Sequence, residues 1–154
     1  MAANTEIAKP FITATRKILT MMAGLEVTYG APYVKKDDMA LGDVSAIVGV
    51  TGDLRGSIAV SFSSGASQAL VEGMLGDAIE DLAQDTQDAV GELVNIISGN
   101  ARAELADIGI SVQGSTPTVI TGKDHRIRHI SKTPVVVIPF STQHGDFTVE
   151  FCMC

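Results

Sequence analysis

The chain has 154 residues, of which 45% are hydrophobic and 19% are charged, and its formal net charge is −7. This length and composition are typical of a single globular domain over 1–154, and they exclude a disordered chain and a multidomain protein. The sequence has neither a basic start followed by an apolar run nor an apolar stretch of membrane length. We therefore expect a cytoplasmic protein without a membrane partner.

Apolar residues at helical spacing predict three helices, each stopped by a glycine. The helices are expected at about 6–22, at about 65–75 and over the residues before 109, with Gly24, Gly76 and Gly109 as the stops. Ser64 is the expected N-cap of the second helix, and Asp85 or Thr86 is the expected N-cap of the third. The third helix is the longest and carries most of the polar residues discussed below.

Six strands are predicted from short runs of apolar or alternating residues. They are expected at about 26–35, 43–51, 56–62, 111–121, 133–140 and 146–153. Three of them follow the first helix and three follow the third helix. Each long helix is therefore followed by a set of three strands.

This arrangement is repeated along the chain. A shift of 85 residues places Ile12, Gly24, Val27, Pro32 and Val34 on Ile97, Gly109, Val112, Pro117 and Val119, and residues 56–62 resemble residues 145–151. We infer two diverged copies, at about 6–62 and 88–153. The predicted fold class is α+β: a pseudo-twofold duplication of a helix plus three strands, forming one mostly antiparallel sheet with the long helices packed on one face.

The third helix has two contrasting stripes. At about 100° per residue, one stripe is apolar and the other is polar. The apolar stripe comprises Val90, Leu93, Val94, Ile97, Ala101, Leu105 and Ile108, and the polar stripe comprises Asp88, Glu92, Asn95, Gly99 and Arg102. Burial of the first stripe leaves the Glu92 carboxylate and the Asn95 amide pointing away from the core, where they could position another molecule. The 85-residue shift aligns this pair with Ile7 and Pro10, so only the second copy presents it.

The charges are unevenly distributed. Seven acidic residues and no Lys or Arg lie between Arg55 and Arg102. This predicts an acidic surface, which would repel nucleic acid and favour a partner rich in Lys or Arg, or would simply keep the protein soluble. The basic segment 123–132 lacks aromatic residues, so we interpret it as an exposed loop or strand end and expect no nucleic-acid partner.

The sequence offers little metal-binding or covalent chemistry. His125 and His129 are four residues apart, but no further His or Cys accompanies them, so no metal site is expected. For Cys152 and Cys154 a structural thiol pair is favoured over a redox or metal site. The sequence contains no Gly-rich phosphate loop and no nucleophile signature, which argues against nucleotide hydrolysis and covalent catalysis.

The run from Glu92 to Ala101, ELVNIISGNA, together with the duplicated layout, resembles the CheC/CheX/FliY family of chemotaxis phosphatases, most closely its CheX branch. The resemblance implies dephosphorylation of a phosphorylated CheY-like response regulator, which would supply the divalent cation, so that this chain needs no cofactor of its own. It implies that Glu92 pairs with a lysine of the regulator and that Asn95 positions the attacking water. Asp88, Gly99 and Arg102 are the candidate partner contacts. The resemblance also implies a homodimer formed through strand contacts.

Other readings remain open at this point. The chain could be a non-catalytic module of the same fold that binds a response regulator or a flagellar-switch component, or a structural subunit joined through sheet edges. Gly99 could serve close helix packing, and Arg102 could pair with acids near Asp88. For Asn100, capping or hydrogen bonding between helices is a better interpretation than catalysis.

Overall fold

The computed structural model describes residues 2–123, 125–129 and 134–154. The elements in chain order are helix α1 (Ala2–Ala23), strands β1 (Thr28–Tyr29), β2 (Tyr33–Val34), β3 (Val44–Gly52) and β4 (Gly56–Phe62), helices α2 (Ser64–Leu75) and α3 (Leu82–Asp107), and strands β5 (Val112–Gly114), β6 (Thr118–Thr121), β7 (Val136–Thr142) and β8 (Gly145–Met153). A short 3₁₀ turn, Gly76–Ala78, lies between α2 and α3.

The described strands form one antiparallel sheet of eight strands in the order β1-β7-β8-β4-β3-β5, with β2 also on β7 and β6 also on β3. The order is symmetric about the central pair of β4 and β8, whose register runs from Gly56 opposite Met153 to Phe62 opposite Phe147. The short strands after α1 pair with the second half of the chain, and those after α3 pair with the first half. The α+β fold class with a mostly antiparallel sheet is confirmed.

The main core lies between one face of the sheet and the helices. Alternate residues of β4 and β8 contribute to it, and the rings of Phe62 and Phe147 stack with their centroids 4.4 Å apart. The predicted apolar stripe of α3 is fully buried except for Ile108, which is 59% exposed because the helix ends at Asp107. Burial of this stripe holds α3 in one orientation and leaves the opposite stripe facing outward.

The predicted helix caps are wrong by one residue at α2 and by a full turn at α3. Ser63, rather than Ser64, accepts a backbone N–H of the first turn of α2. Asp81 caps α3, so the carboxylate of Asp85 instead accepts the backbone N–H groups of the two residues that precede the helix. Thr86 lies inside the helix, where its hydroxyl donates to a carbonyl four residues earlier. Several neighbouring residues are suitable caps, and tertiary packing decides which of them is used.

Two of the predicted strands are each divided into two shorter strands. The segment 26–35 forms β1 and β2, and the segment 111–121 forms β5 and β6. Pro32 and Pro117 lie in the two interruptions, where a residue without an N–H cannot pair with its neighbour. Residue 133, the expected start of another strand, is outside the described residues, and β7 runs two residues beyond the predicted end.

The second face of the sheet carries a buried polar layer. Glu150 is completely buried and its carboxylate accepts from Lys35 Nζ at 3.0 Å and contacts His129 Nε2 at 2.8 Å. His129 Nδ1 lies 2.5 Å from the Ser57 hydroxyl, and His125 Nε2 lies 2.6 Å from the Ser45 hydroxyl. The segments 35–40 and 125–129 therefore cover part of this face.

The predicted exposure of the basic segment is only partly correct. Among its described residues Lys123, Arg126 and Arg128 are exposed, whereas Ile127 is buried and the His129 side chain is only 4% exposed. The remaining positions, 124 and 130–132, lie outside the described residues. Paired with a buried carboxylate, His129 has a structural role that its sequence neighbours do not reveal.

The other features that the sequence singled out are distributed as follows. Cys152 is buried in β8 and Cys154 is exposed just after that strand. Over 2–123, 125–129 and 134–154 there is no group of three His, Cys, Asp or Glu side chains arranged to hold a metal ion. In the same residues, no helix has the length and apolar character needed to cross a bilayer.

Candidate active site

The Glu92 and Asn95 side chains lie on the outer stripe of α3, and both are exposed. The helix is anchored by the fully buried residues Val90, Leu93, Val94 and Ile97 on its inner stripe. No hydrogen bond or ion pair within the described part of the chain involves the carboxylate of Glu92 or the amide of Asn95. The helix therefore fixes the backbone of both residues and leaves their polar groups available to another molecule.

These two residues line a shallow groove of about 350 Å³ between α3 and the strand β6. The helix contributes Gln87, Asp88, Gly91, Glu92 and Asn95, and the opposite wall is formed by Pro117 and Val119. A Cβ atom on Gly91 would lie 3.1 Å from Val119 Cγ2, so the glycine allows the helix to pack closely against this wall. A partner reaching Glu92 and Asn95 would therefore meet an apolar wall beside them.

Sequence reasoning missed four residues of this groove: Gln87, Gly91, Pro117 and Val119. The 85-residue alignment had marked Pro117 and Val119, but only as repeat positions. The approach of Pro117 and Val119 to α3 depends on the pairing of β6 with β3. That pairing joins distant parts of the chain and has no local sequence signal.

Asp88, a candidate partner contact, lines the groove, and its exposed carboxylate accepts a hydrogen bond within its own helix. Gln84 Nε2 donates to Asp88 Oδ1 at 3.0 Å, one turn earlier. This bond limits the rotamers of Asp88 without covering the carboxylate. Asp88 is therefore available as a partner contact at the N-terminal end of the stripe.

Gly99 and Arg102 lie farther along the stripe and do not line the groove. Arg102 is half-buried, and its Nε donates to the carbonyl of Ser98 at 3.2 Å. No ion pair in the described residues includes Arg102, so the alternative of pairing with acids near Asp88 is not seen there. Asn100 Nδ2 donates to the carbonyl of Ile96 at 3.0 Å, a bond within α3 rather than between helices.

The acidic residues predicted to form an acidic surface are exposed or half-buried, and Asp88 and Glu92 among them line the groove. The exposed ones are Glu72, Asp77, Glu80, Asp81, Asp88 and Glu92, and Asp85 is half-buried. No Lys or Arg lies in residues 56–101 to neutralise them. The groove itself carries two of these carboxylates, which attract positive charge.

The first helix does not present its aligned residues as α3 does. The 85-residue shift pairs the exposed Glu92 and Asn95 with Ile7 and Pro10, both of which are buried. This residue correspondence therefore does not hold for the two helix faces. The shift was set by the glycines after the helices, and the position of a helix stop does not fix the rotation of the helix.

A shift of 83 residues matches the burial of α1 and α3 instead. It pairs Glu92 with exposed Lys9 and Asn95 with half-buried Ile12. It also pairs Thr15 with Ser98, both of which have fully buried hydroxyls without a hydrogen-bond partner in the described residues. The first half thus places a cation and an apolar residue where the second half places an acid and an amide.

Comparison with known proteins agrees with this fold. The family model described as chemotaxis phosphatase CheX matches residues 44–141, which is more than half of the chain and includes α3. A chemotaxis protein CheX from Desulfovibrio desulfuricans has 56% sequence identity and a TM-score of 0.92, covering 97% of this chain and 99% of that chain.

Two further relatives extend the comparison. A chemotaxis protein structure from Desulfovibrio vulgaris Hildenborough has 57% identity and a TM-score of 0.91, covering 97% of both chains. The CheY-P phosphatase CheX of Thermotoga maritima is 28% identical over 93% of this chain and 94% of its own length. On the extent of the family match and on these identities, the chain belongs to the CheX family of chemotaxis phosphatases.

Proposed function

We propose that this protein dephosphorylates the aspartyl phosphate of a CheY-like response regulator and so ends a chemotaxis signal. The observation that carries the proposal is the exposed, unpartnered Glu92–Asn95 pair on a firmly anchored helix. Family membership supports it, as does the similarity to a CheY-P phosphatase over nearly the whole chain. The active element is the outer stripe of α3.

The chemistry that this pair must supply is limited. An aspartyl phosphate is an activated acyl phosphate, so its hydrolysis needs a water held in line with phosphorus more than it needs a strong base. The Asn95 carbonyl oxygen can accept a hydrogen bond from a water, and the Asn95 NH2 group can donate one to the water oxygen, without any change of protonation. We propose no cofactor for this chain, since the divalent cation belongs to the regulator.

Glu92 has a different role in this mechanism. A carboxylate three residues before Asn95 can pair with a lysine beside the regulator's phosphorylated aspartate. That contact would fix the approach of the helix and bring the Asn95 amide to a defined position. Orientation of this kind can lower a barrier by several kcal/mol, on the order of the gains seen for well-aligned intramolecular reactions.

The surroundings of the pair suit a protein substrate. The groove wall of Pro117 and Val119 gives an apolar surface next to the polar pair, and Gly99 leaves space one turn beyond Asn95. The acidic surface would speed the encounter with a basic partner site and orient it. We propose Asp88 and Gly99 as contacts of the docked regulator. The homodimer and the cytoplasmic location stay predictions.

The test is the decay of a phosphorylated CheY-like receiver with the wild-type protein and with Glu92→Ala and Asn95→Ala. We expect Asn95→Ala to lower the rate at saturating receiver at least about tenfold, or ~1.4 kcal/mol in barrier height. We expect Glu92→Ala to weaken the interaction with the receiver as well. Asn100→Ala is the matched control, because it removes the same amide from the same helix outside the site.

The alternative is a module that binds the regulator without hydrolysing its phosphate. It predicts that Asn95→Ala leaves phosphate loss from the receiver unchanged. If the wild-type protein fails to accelerate decay for every receiver of the same cell, the catalytic proposal is wrong.

A further inference from the structure

Arg102 is held in an unusually defined position for a surface cation. Its Nε donates to the Ser98 carbonyl at 3.2 Å, and its guanidinium lies over Gly114 of β5. A Cβ atom on Gly114 would lie 3.2 Å from Arg102 Cζ and 3.3 Å from Nη2, so only a residue without a side chain leaves this place open. Gly99 borders Nη2 on the helix side, where a Cβ atom would lie 3.8 Å away.

Arg102 is an isolated cation that has no ion-pair partner in the described residues. It is the only Lys or Arg in residues 56–122. No hydrogen bond of its Nη1 or Nη2 and no ion pair is found in the regions 2–123, 125–129 and 134–154. Two terminal nitrogens of a positioned guanidinium are therefore left without partners in the described residues.

The outer stripe of α3 is consequently dipolar. Glu92 and Arg102 are ten residues apart, about 15 Å along a helix, and Asn95 lies between them. A docking surface that presents a cation to Glu92 must present an anion, at the matching distance, to satisfy Arg102. The reversed orientation would bring like charges together at both ends, which opposes binding.

We propose that Arg102 receives a carboxylate of the regulator and thereby fixes the direction in which the regulator docks on α3. A guanidinium binds a carboxylate with two parallel hydrogen bonds, and the contacts with Ser98 and Gly114 reduce the entropy lost on binding. Arg102 is then a specificity-determining residue outside the catalytic pair. This inference rests on the proposed function of the same helix.

The first test separates binding from catalysis. Initial rates of receiver dephosphorylation are measured against receiver concentration for Arg102→Ala, Arg102→Glu and Arg102→Lys. We expect Ala to raise KM about three- to tenfold with kcat nearly unchanged, Glu to raise KM further, and Lys to restore only part of the affinity. Lys17→Ala is the control for net charge, because Lys17 is an exposed cation on α1.

The second test keeps the charge and moves it. Gly114→Ala should displace the guanidinium and raise KM, as Arg102→Ala does. The KM of the double variant should be no higher than that of Arg102→Ala alone. Thermal unfolding of each variant checks that KM is compared between folded proteins, since Val48 Cγ1 would also lie 3.3 Å from the new Cβ atom.

The outcomes distinguish this inference from the proposed function. An active wild type with an unchanged KM in Arg102→Ala and Arg102→Glu would overturn the role of Arg102 and leave the phosphatase proposal intact. A fall in kcat at constant KM would also overturn it, because the guanidinium would then act on the reacting group. An inactive wild type would overturn the proposed function itself.

Discussion

Substitution of two glycines of α3 can distinguish the stability of the helix from its proposed use in docking. Gly91 and Gly99 both lie inside the helix, on either side of Glu92 and Asn95. A Cβ atom on Gly99 would contact only Arg102 Nη2, at an ordinary 3.8 Å, whereas a Cβ atom on Gly91 would lie 3.1 Å from Val119 Cγ2. The same substitution therefore makes an ordinary contact at position 99 and a tight contact with a half-buried side chain at position 91.

The expected change in stability follows from these contacts. Alanine is favoured over glycine in a helix interior by about 1 kcal/mol, and nothing at position 99 opposes that gain. For a chain of 154 residues, ~1 kcal/mol corresponds to about 3 °C in Tm. At position 91 the displacement of Val119 offsets the gain, so Gly91→Ala should be less stabilising than Gly99→Ala.

The change in activity should go the other way at position 99. The new methyl group lies on the outer stripe one turn beyond Asn95, where the regulator is proposed to approach closely. We expect Gly99→Ala to raise KM for the phosphorylated receiver several-fold while Tm increases. Urea unfolding and receiver dephosphorylation are to be measured on the same preparations of wild type, Gly99→Ala and Gly91→Ala.

Two results would refute this reasoning. If Gly91→Ala proved more stable than Gly99→Ala, the packing of α3 against β6 would be wrong. If Gly99→Ala gained stability and kept the wild-type KM, Gly99 would have no part in docking, and its presence in the motif would need another explanation.

Two further predictions concern the buried polar layer. Glu150→Ala should lower the free energy of unfolding by about 3–5 kcal/mol, because it leaves the cations of Lys35 and, when protonated, His129 buried without a counter-charge. Urea unfolding measures this loss of stability. A loss below about 1 kcal/mol would contradict a buried ion pair at Glu150. Burial, and to a smaller extent the charge of Glu150, raise the pKa of Tyr33 above 10.0. The unfolded chain therefore loses this proton first, and the free energy of unfolding should decline as pH rises above that value. Tyr33→Phe should flatten this decline, measured by urea unfolding between about pH 9 and pH 11, and an unchanged slope would show that Tyr33 is not responsible.

Much of the fold could be predicted because its signals are local. The apolar spacing from Val90 to Leu105 predicted a helix buried on one side, and that stripe is buried. Gly24, Gly76 and Gly109 follow the three helices with positive φ angles of 63°, 54° and 88°, a conformation that glycine adopts most readily. Such signals depend on residues a few positions apart, so they can be recognised without the structure of the rest of the chain.

The errors have a common physical origin. The caps at Ser64 and Asp85 were plausible locally, but neighbouring residues compete for the same role and packing selects among them. The alignment of Glu92 with Ile7 failed because the rotation of a helix is set by what it packs against. His129 could not be assigned by spacing, since its partner, Glu150, lies 21 residues away in the sequence.

For the site, the sequence by itself determined that Glu92, Asn95, Asp88, Gly99 and Arg102 share one face of α3, because a helix repeats every 3.6 residues. Only the tertiary structure decided what that face adjoins. Pairing of β6 with β3 brings Pro117 and Val119 beside Glu92 and Asn95, and pairing of β5 with β3 places Gly114 beneath Arg102. These neighbours come from strand register between distant segments, which is set by the whole buried core rather than by local residue order.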